Sequence, residues 1–258
     1  PRCSLVPNWQ TLAASQGAMA RGIKDGDPNA EYICWLYMPA WKPLAPWVYE
    51  LGAHLPKDVT LQINFESGAV KYQLDRPRVG GDYWLSFIGP SDRFARIAGQ
   101  AVAHGTPMSA KLQVGCSHES ATVPFMPVPS ILYRKYREMP AMNVTSVMQC
   151  WYFGNYPGVM NRAAGRLAFE DFSGTEDDFL QALARPDWGG DADTVVRAFV
   201  GQPVQVDGRW YRVTVADDQK SLSAAPWTGP LGHLRIDHDD WWCLLIGDDS
   251  AVVVRGGR

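Results

Sequence analysis

No run of about 18 apolar residues occurs in the 258-residue chain, so the sequence offers no membrane-crossing helix. Nor does a basic stretch followed by an apolar one open it, so no signal segment is visible. This leaves compartment open between a cytoplasmic and an exported protein. A basic surplus is missing too. With 24 basic against 27 acidic side chains the net charge is −3, which argues against a dedicated nucleic-acid binder. None of the five cysteines lies in a C-x-x-C pair, so a zinc knuckle is not expected. No glycine loop is built to cradle phosphate: Val79-Gly80-Gly81-Asp82 reads as a turn. No cofactor motif, internal repeat or low-complexity tract stands out.

What remains is the composition of a soluble globular protein. At 46% hydrophobic and 20% charged residues the chain can build a packed core and is not disordered throughout. At roughly 150 residues per domain, its length allows one large domain or two smaller ones. The opening Pro1-Arg2-Cys3 reads as the interior of a longer chain, with an upstream segment missing. Cys3, Cys34, Cys116, Cys150 and Cys243 are odd in number, and the plainest expectation is buried free thiols. Cys3 could pair with a cysteine lost upstream. Cys116, two residues before His118, offers only a weak case for a nucleophile.

Strand-like and helix-like segments alternate over the first 200 residues. Residues 11–23 are Ala-rich and helical in composition, stopping at Asp25-Gly26-Asp27-Pro28. Strands are expected at 31–37, 59–65, 82–87, 108–114 and 143–152. A short helix is expected at 44–53. Ser91 suits the N-cap of a helix through Ala103, closed by His104-Gly105. Further helices are expected at 129–138, from Pro157 to Phe169, and over 173–200, where Thr175 and Asp178 can form a capping box.

This β-then-α order predicts a parallel sheet covered by helices. An eight-stranded TIM barrel typically takes about 250 residues, and the alternating part covers only about 170. We therefore expect an α/β fold: a partial TIM-barrel-like β/α domain over residues 1–200. Residues 201–258 change character. Short β-rich runs at 204–206, 210–215, 234–236, 242–246 and 251–254, with Asp207-Gly208 as a hairpin signal, predict a small antiparallel β module.

In parallel α/β folds ligands bind beyond the C-terminal ends of the strands. The residues there are aromatic and acidic: Trp35, Tyr37 and Trp41; Glu66; Cys116 to Glu119; Trp151 to Tyr156. Aromatic faces stack on sugar rings, and two carboxylates do the chemistry of most glycosidases. Glu66 and Glu119 are the candidate catalytic carboxylates. The plainer alternatives are a solvated loop carboxylate for Glu66 and a loop brace for His118-Glu119. Lys111 and Gln113 alternate with Leu112 and Val114, which would point them into a barrel; for Lys111 a solvent-facing position is the plainer alternative. The stretch Gln149–Asn161 is dense in polar and aromatic groups, with Gly154 and Gly158 allowing tight backbone, and reads as a binding loop. The candidate substrate-binding set is thus Trp35, Lys111, Gln113, His118, Trp151, Tyr152, Asn155 and Tyr156.

The stretches KLQVGCSHESATVPFMPVPSILYRKYR and MQCWYFGNYPGVMNRAAGRLAFEDF resemble bacterial glycoside-hydrolase-like TIM-barrel proteins, in the style of family 20 hexosaminidases. The resemblance covers roughly residues 1–198. It implies a TIM barrel acting on a glycan, and a chain that lacks the upstream strands of such a barrel. The Asp-Glu catalytic pair of the hexosaminidases has no match here.

Other signals are weaker. Asp237-His238-Asp239-Asp240 holds metal-ligand types, but consecutive strand residues cannot face one ion, and a solvated turn is expected rather than a metal site. Asn143-Val144-Thr145 matches a glycosylation sequon at the start of an expected buried strand. Arg134-Lys135-Tyr136-Arg137 reads as a solvated helix face. Three functions stay open: a glycoside hydrolase, a non-catalytic carbohydrate-binding or interaction protein, and a partial barrel that self-associates to cover its sheet edges. Carbohydrate is the expected ligand, with neither nucleic acid nor membrane as a partner.

Overall fold

Ser91 stands before a run whose apolar residues recur at helical spacing, and its hydroxyl accepts a hydrogen bond from the Phe94 backbone N–H (3.1 Å). That satisfies one of the four donors a helix start leaves open. The resulting helix, α4 (Asp92–Ala103), ends at His104, and Gly105 takes the left-handed φ of 69° that closes it. Its buried stripe is Phe94, Ile97, Ala98 and Ala101. In the computed structural model, the described residues are 5–37, 43–73, 76–79, 84–115, 128–149 and 158–199, with strand backbone at 204–206, 209–215, 222–226, 243–246 and 251–254.

The protein is a mixed α/β structure around a four-stranded sheet. Its strands are β1 (Tyr32–Trp35), β2 (Val59–Asn64), β5 (Met108–Leu112) and β6 (Val144–Gln149). All three pairings are parallel, and the spatial order β1-β2-β5-β6 follows the chain. Between β2 and α4 lies an antiparallel hairpin, β3 (Val70–Gln73) with β4 (Arg76–Val79). The helices are α1 (Asn8–Gly26), the one-turn α2 (Pro46–Tyr49) and α3 (Leu51–His54), α4, α5 (Pro129–Glu138), α6 (Val159–Phe169), α7 (Glu176–Trp188) and α8 (Ala192–Phe199).

The two central strands are buried on both faces, and the faces differ. Strand side chains alternate between faces. The register pairs Leu61 with Met108 and Ile63 with Ala110, so these apolar residues share one face. They join a core with Phe94, Ile97, Leu132, Met160, Ala163, Phe179 and Leu183 from the helices. Gln62 pairs with Ser109 and Asn64 with Lys111 on the other face, and all four are buried. The helices approach closely. A Cβ on Gly52 in α3 would lie 2.9 Å from Ala101 Cα and Cβ, so only glycine fits there.

Several expectations hold to within a residue or two: the strands at 59–65 and 108–114, the helix 129–138, the Ser91 cap and the Thr175 capping box, whose two reciprocal hydrogen bonds are both present. Others are corrected. Residues 84–87 of the expected strand 82–87 form a turn, in which the Phe87 N–H donates to the Trp84 carbonyl (3.3 Å). Trp84, Leu85 and Ile88 are buried there, and an apolar turn mimics a buried strand in composition. The pairing strands precede it, in the hairpin β3–β4. The helix at 44–53 is two separate turns. Helix α1 begins at Asn8 and ends at Gly26, beyond both expected limits. The helix at 173–200 breaks at Gly189, two residues after Asp187 and three after Pro186. Asn143 takes a left-handed φ of 52°, and β6 is a half-buried sheet edge rather than a buried strand. Pro157 and the run 234–236 lie outside the described residues.

In the C-terminal part, β7 (Val204–Val206), β8 (Arg209–Val215) and β9 (Leu222–Pro226) pair antiparallel, as do β10 (Cys243–Ile246) and β11 (Ala251–Val254). Val206 pairs with Arg209, the spacing a two-residue hairpin connection gives.

Two outcomes follow. Gly52→Ala will lower stability by about 1–3 kcal/mol, because the added methyl meets helix backbone; urea unfolding checks this. At the α7 cap, the Thr175 hydroxyl and then the Thr175 backbone N–H hold the Asp178 carboxyl below its ordinary 3.8. A carboxyl depressed in the folded state stabilises above its unfolded value and loses that contribution as pH falls through the folded one. The stability gap between wild type and Thr175→Ala will therefore narrow below about pH 4 in urea melts at a series of pH values.

Candidate functional site

The C-terminal ends of β1, β2 and β5 carry a buried polar cluster. Trp35 is the last residue of β1. Its indole N–H donates to Asn64 Oδ1 (2.9 Å) at the last position of β2. Trp35 is 37% exposed, and Tyr37 meets it edge-on at 5.3 Å between ring centroids. An aromatic face thus stays open while its polar edge is fixed.

Two residues past Asn64 stands Glu66, with no solvent exposure. Its Oε1 accepts twice. The Gln113 backbone N–H, just beyond β5, donates from 3.2 Å, and the Lys135 ammonium of α5 pairs with the same oxygen. Lys135 is likewise fully buried. Lys111 Nζ donates to Gln113 Oε1 (3.4 Å). Deeper along the same face, Ser109 Oγ donates to Gln62 Oε1 (3.0 Å) and Gln62 Nε2 lies 3.5 Å from Met148 Sδ. Two atoms of this cluster are buried with no hydrogen-bond partner among the described residues: Glu66 Oε2 and Asn64 Nδ2. One is an acceptor and the other a donor. Leaving either unmatched costs about 1–3 kcal/mol, so both are set to take a polar ligand group or water.

Chemically, an ion-paired carboxylate offers lone pairs. It can accept a hydroxyl hydrogen, act as a base, or attack as a nucleophile. Two other reactive groups are held toward their neutral forms. Burial pushes the Cys34 thiol up to about 11 and the Tyr136 phenol up to about 12. No group of three or more metal-ligating side chains occurs among the described residues, nor does a helix long and apolar enough to cross a membrane.

Of the sequence candidates, the structure brings Glu66, Gln113, Lys111 and Trp35 to one end of the sheet. Glu66 is no solvated loop carboxylate, and Lys111 does not face solvent: both are fully buried. Glu119, His118, Trp151, Tyr152, Asn155 and Tyr156 lie outside the described residues, as do Cys116, Trp41 and Asp237 to Asp240. One expectation is overturned. Arg134 to Arg137 is not a single solvated face, because Lys135 turns inward to Glu66. Helical spacing carried that signal: Lys135 falls four residues after Ile131 and four before Met139, both buried. Asn64 is a further member of the cluster, at the last position of β2 and two residues before Glu66.

Compared with protein-family models, curated proteins and solved structures, the chain matches none.

Removing one partner of a buried pair leaves a lone buried charge. Lys135→Met and Glu66→Gln will each destabilise by about 3–5 kcal/mol, and the double variant will recover much of the loss. Urea unfolding of the four proteins measures it.

Proposed function

We propose that the chain binds a glycan at the C-terminal end of its parallel sheet, and that it is a glycoside-hydrolase-like protein. In this reading residues 1–200 belong to a TIM-barrel-like β/α domain, and residues 201–258 form a small antiparallel β module. The observation that carries it is the buried carboxylate of Glu66, with one oxygen anchored twice and the other unpartnered, two residues past the Asn64 that the half-exposed Trp35 bonds. A ligand hydroxyl can give its hydrogen to Glu66 Oε2, and a ligand oxygen can accept from Asn64 Nδ2. The Trp35 face offers stacking for a sugar ring.

Most glycosidases hydrolyse with two carboxylates. Glu66, as an ion-paired acceptor, takes the part of base or nucleophile, and Glu119 the part of acid. Trp151 and Tyr152 extend the aromatic platform, while Lys111, Gln113, His118, Asn155 and Tyr156 supply hydrogen bonds to hydroxyls. Carbohydrate is the partner; neither nucleic acid nor membrane enters the reading. A second reading, binding without turnover, is favoured by the burial of Glu66, which suits holding a hydroxyl better than activating a water or attacking a sugar carbon.

The test is a panel of chromogenic glycosides and oligosaccharides, scored for both turnover and thermal shift. At least one glycan will raise the melting temperature. Trp35→Ala will weaken that glycan by about tenfold or more, equal to about 1.4 kcal/mol. Turnover lost in both Glu66→Gln and Glu119→Gln supports the hydrolase. Thermal shift without turnover supports the binding protein. No response to any glycan overturns both.

A further inference from the structure

We infer that Lys135 is the positioning residue of this site: it holds Glu66 by one oxygen so that the other faces the ligand. This deepens the glycan reading and rests on it. The argument is an asymmetry. Burying two full charges costs several kcal/mol per ion, and well-packed apolar residues often serve stability as well or better. Stability alone therefore does not explain a fully buried Lys135–Glu66 pair. A pair serving only the fold would also be expected to engage both carboxylate oxygens, since an unmatched buried acceptor is costly. Here Oε1 takes both contacts, from Lys135 Nζ and the Gln113 N–H, while Oε2 takes none among the described residues. The donor left open on Asn64 stands two residues earlier in the same strand end.

The holder is itself fixed. Next to Lys135 on α5, Arg134 Nε pairs with Glu176 (3.0 Å) and the Tyr133 hydroxyl donates to the Gly174 carbonyl (2.8 Å). Both contacts tie α5 to the start of α7, so the Lys135 backbone is anchored at a distance from the ligand. Lys135 touches Glu66, and Glu66 touches the ligand. In a catalysed reaction this sets which carboxylate oxygen receives the proton or forms the bond.

The experiment uses the full chain labelled with ¹³C-glutamate, as wild type, Lys135→Met, Glu66→Gln and the double variant. Cellotetraose, maltotetraose and xylotetraose serve as binding probes. The Glu66 carboxyl resonance is the one absent from Glu66→Gln. In Lys135→Met this resonance will move, and affinity for the probe that wild type binds will fall by about tenfold or more. Glu66→Gln and the double variant will bind it equally weakly, because Lys135 acts only through Glu66. An affinity in Lys135→Met within about twofold of wild type would leave a purely structural pair and overturn the inference. So would a double variant weaker than Glu66→Gln, since Lys135 would then contact the ligand directly. Should Lys135→Met not fold, the comparison of Glu66→Gln with the double variant, in which no lone charge is buried, decides in the same way. If wild type binds neither these probes nor any member of the glycan panel above, the glycan reading is what fails, and the inference that rests on it falls with it. An unmoved resonance in Lys135→Met overturns the positioning role by itself.

Discussion

The two central strands, β2 and β5, are covered on both sides, and the rest of the molecule answers to the difference between those sides. Leu61, Ile63, Met108 and Ala110 require helices, and α4, α5 and α6 supply them. Gln62, Asn64, Ser109 and Lys111 require hydrogen-bonding partners, because a buried amide or ammonium without one is costly. Alternation at period two makes both demands from the same few residues. A slip of one residue in register would push the polar row into the helix layer, so the register of β2 on β5 is strongly specified.

The strand ends inherit this polarity. Asn64 continues the polar row to the last position of β2, and Glu66 follows at the same spacing beyond it. The chain then places the Gln113 backbone N–H and the Lys135 ammonium against the carboxylate. The candidate site is therefore the end of a polar face along the two central strands, where the hydrogen bonding leaves a donor and an acceptor over.

Local signals were the legible ones. Ser91 and Gly105 bracket α4 because a cap and a left-handed closing glycine act within a few residues. Thr175 and Asp178 cap α7 for the same reason. Glu66 could be picked out as a residue just past a parallel strand, and Trp35 likewise. What could not be seen was a partner remote in sequence. Lys135 sits among Arg134, Tyr136 and Arg137, and charge density made the four look like one wet surface. Its inward turn is decided by Glu66, 69 residues earlier in the chain. The turn at Trp84 misled in the opposite sense, since apolar side chains filling a bend have the composition of a strand.

The strand order has a consequence for how the molecule is made. Each parallel strand lies beside its predecessor in the chain, so most pairings form between segments that emerge in succession from the ribosome, and the sheet can grow from its first edge without waiting for its last. Glu66 is an exception to that progressive order. Its counter-ion lies in a helix that comes out after β5, so the nascent sheet carries an exposed, hydrated carboxylate at its tip until α5 docks. The acid becomes part of the interior only when enough chain has arrived to neutralise it.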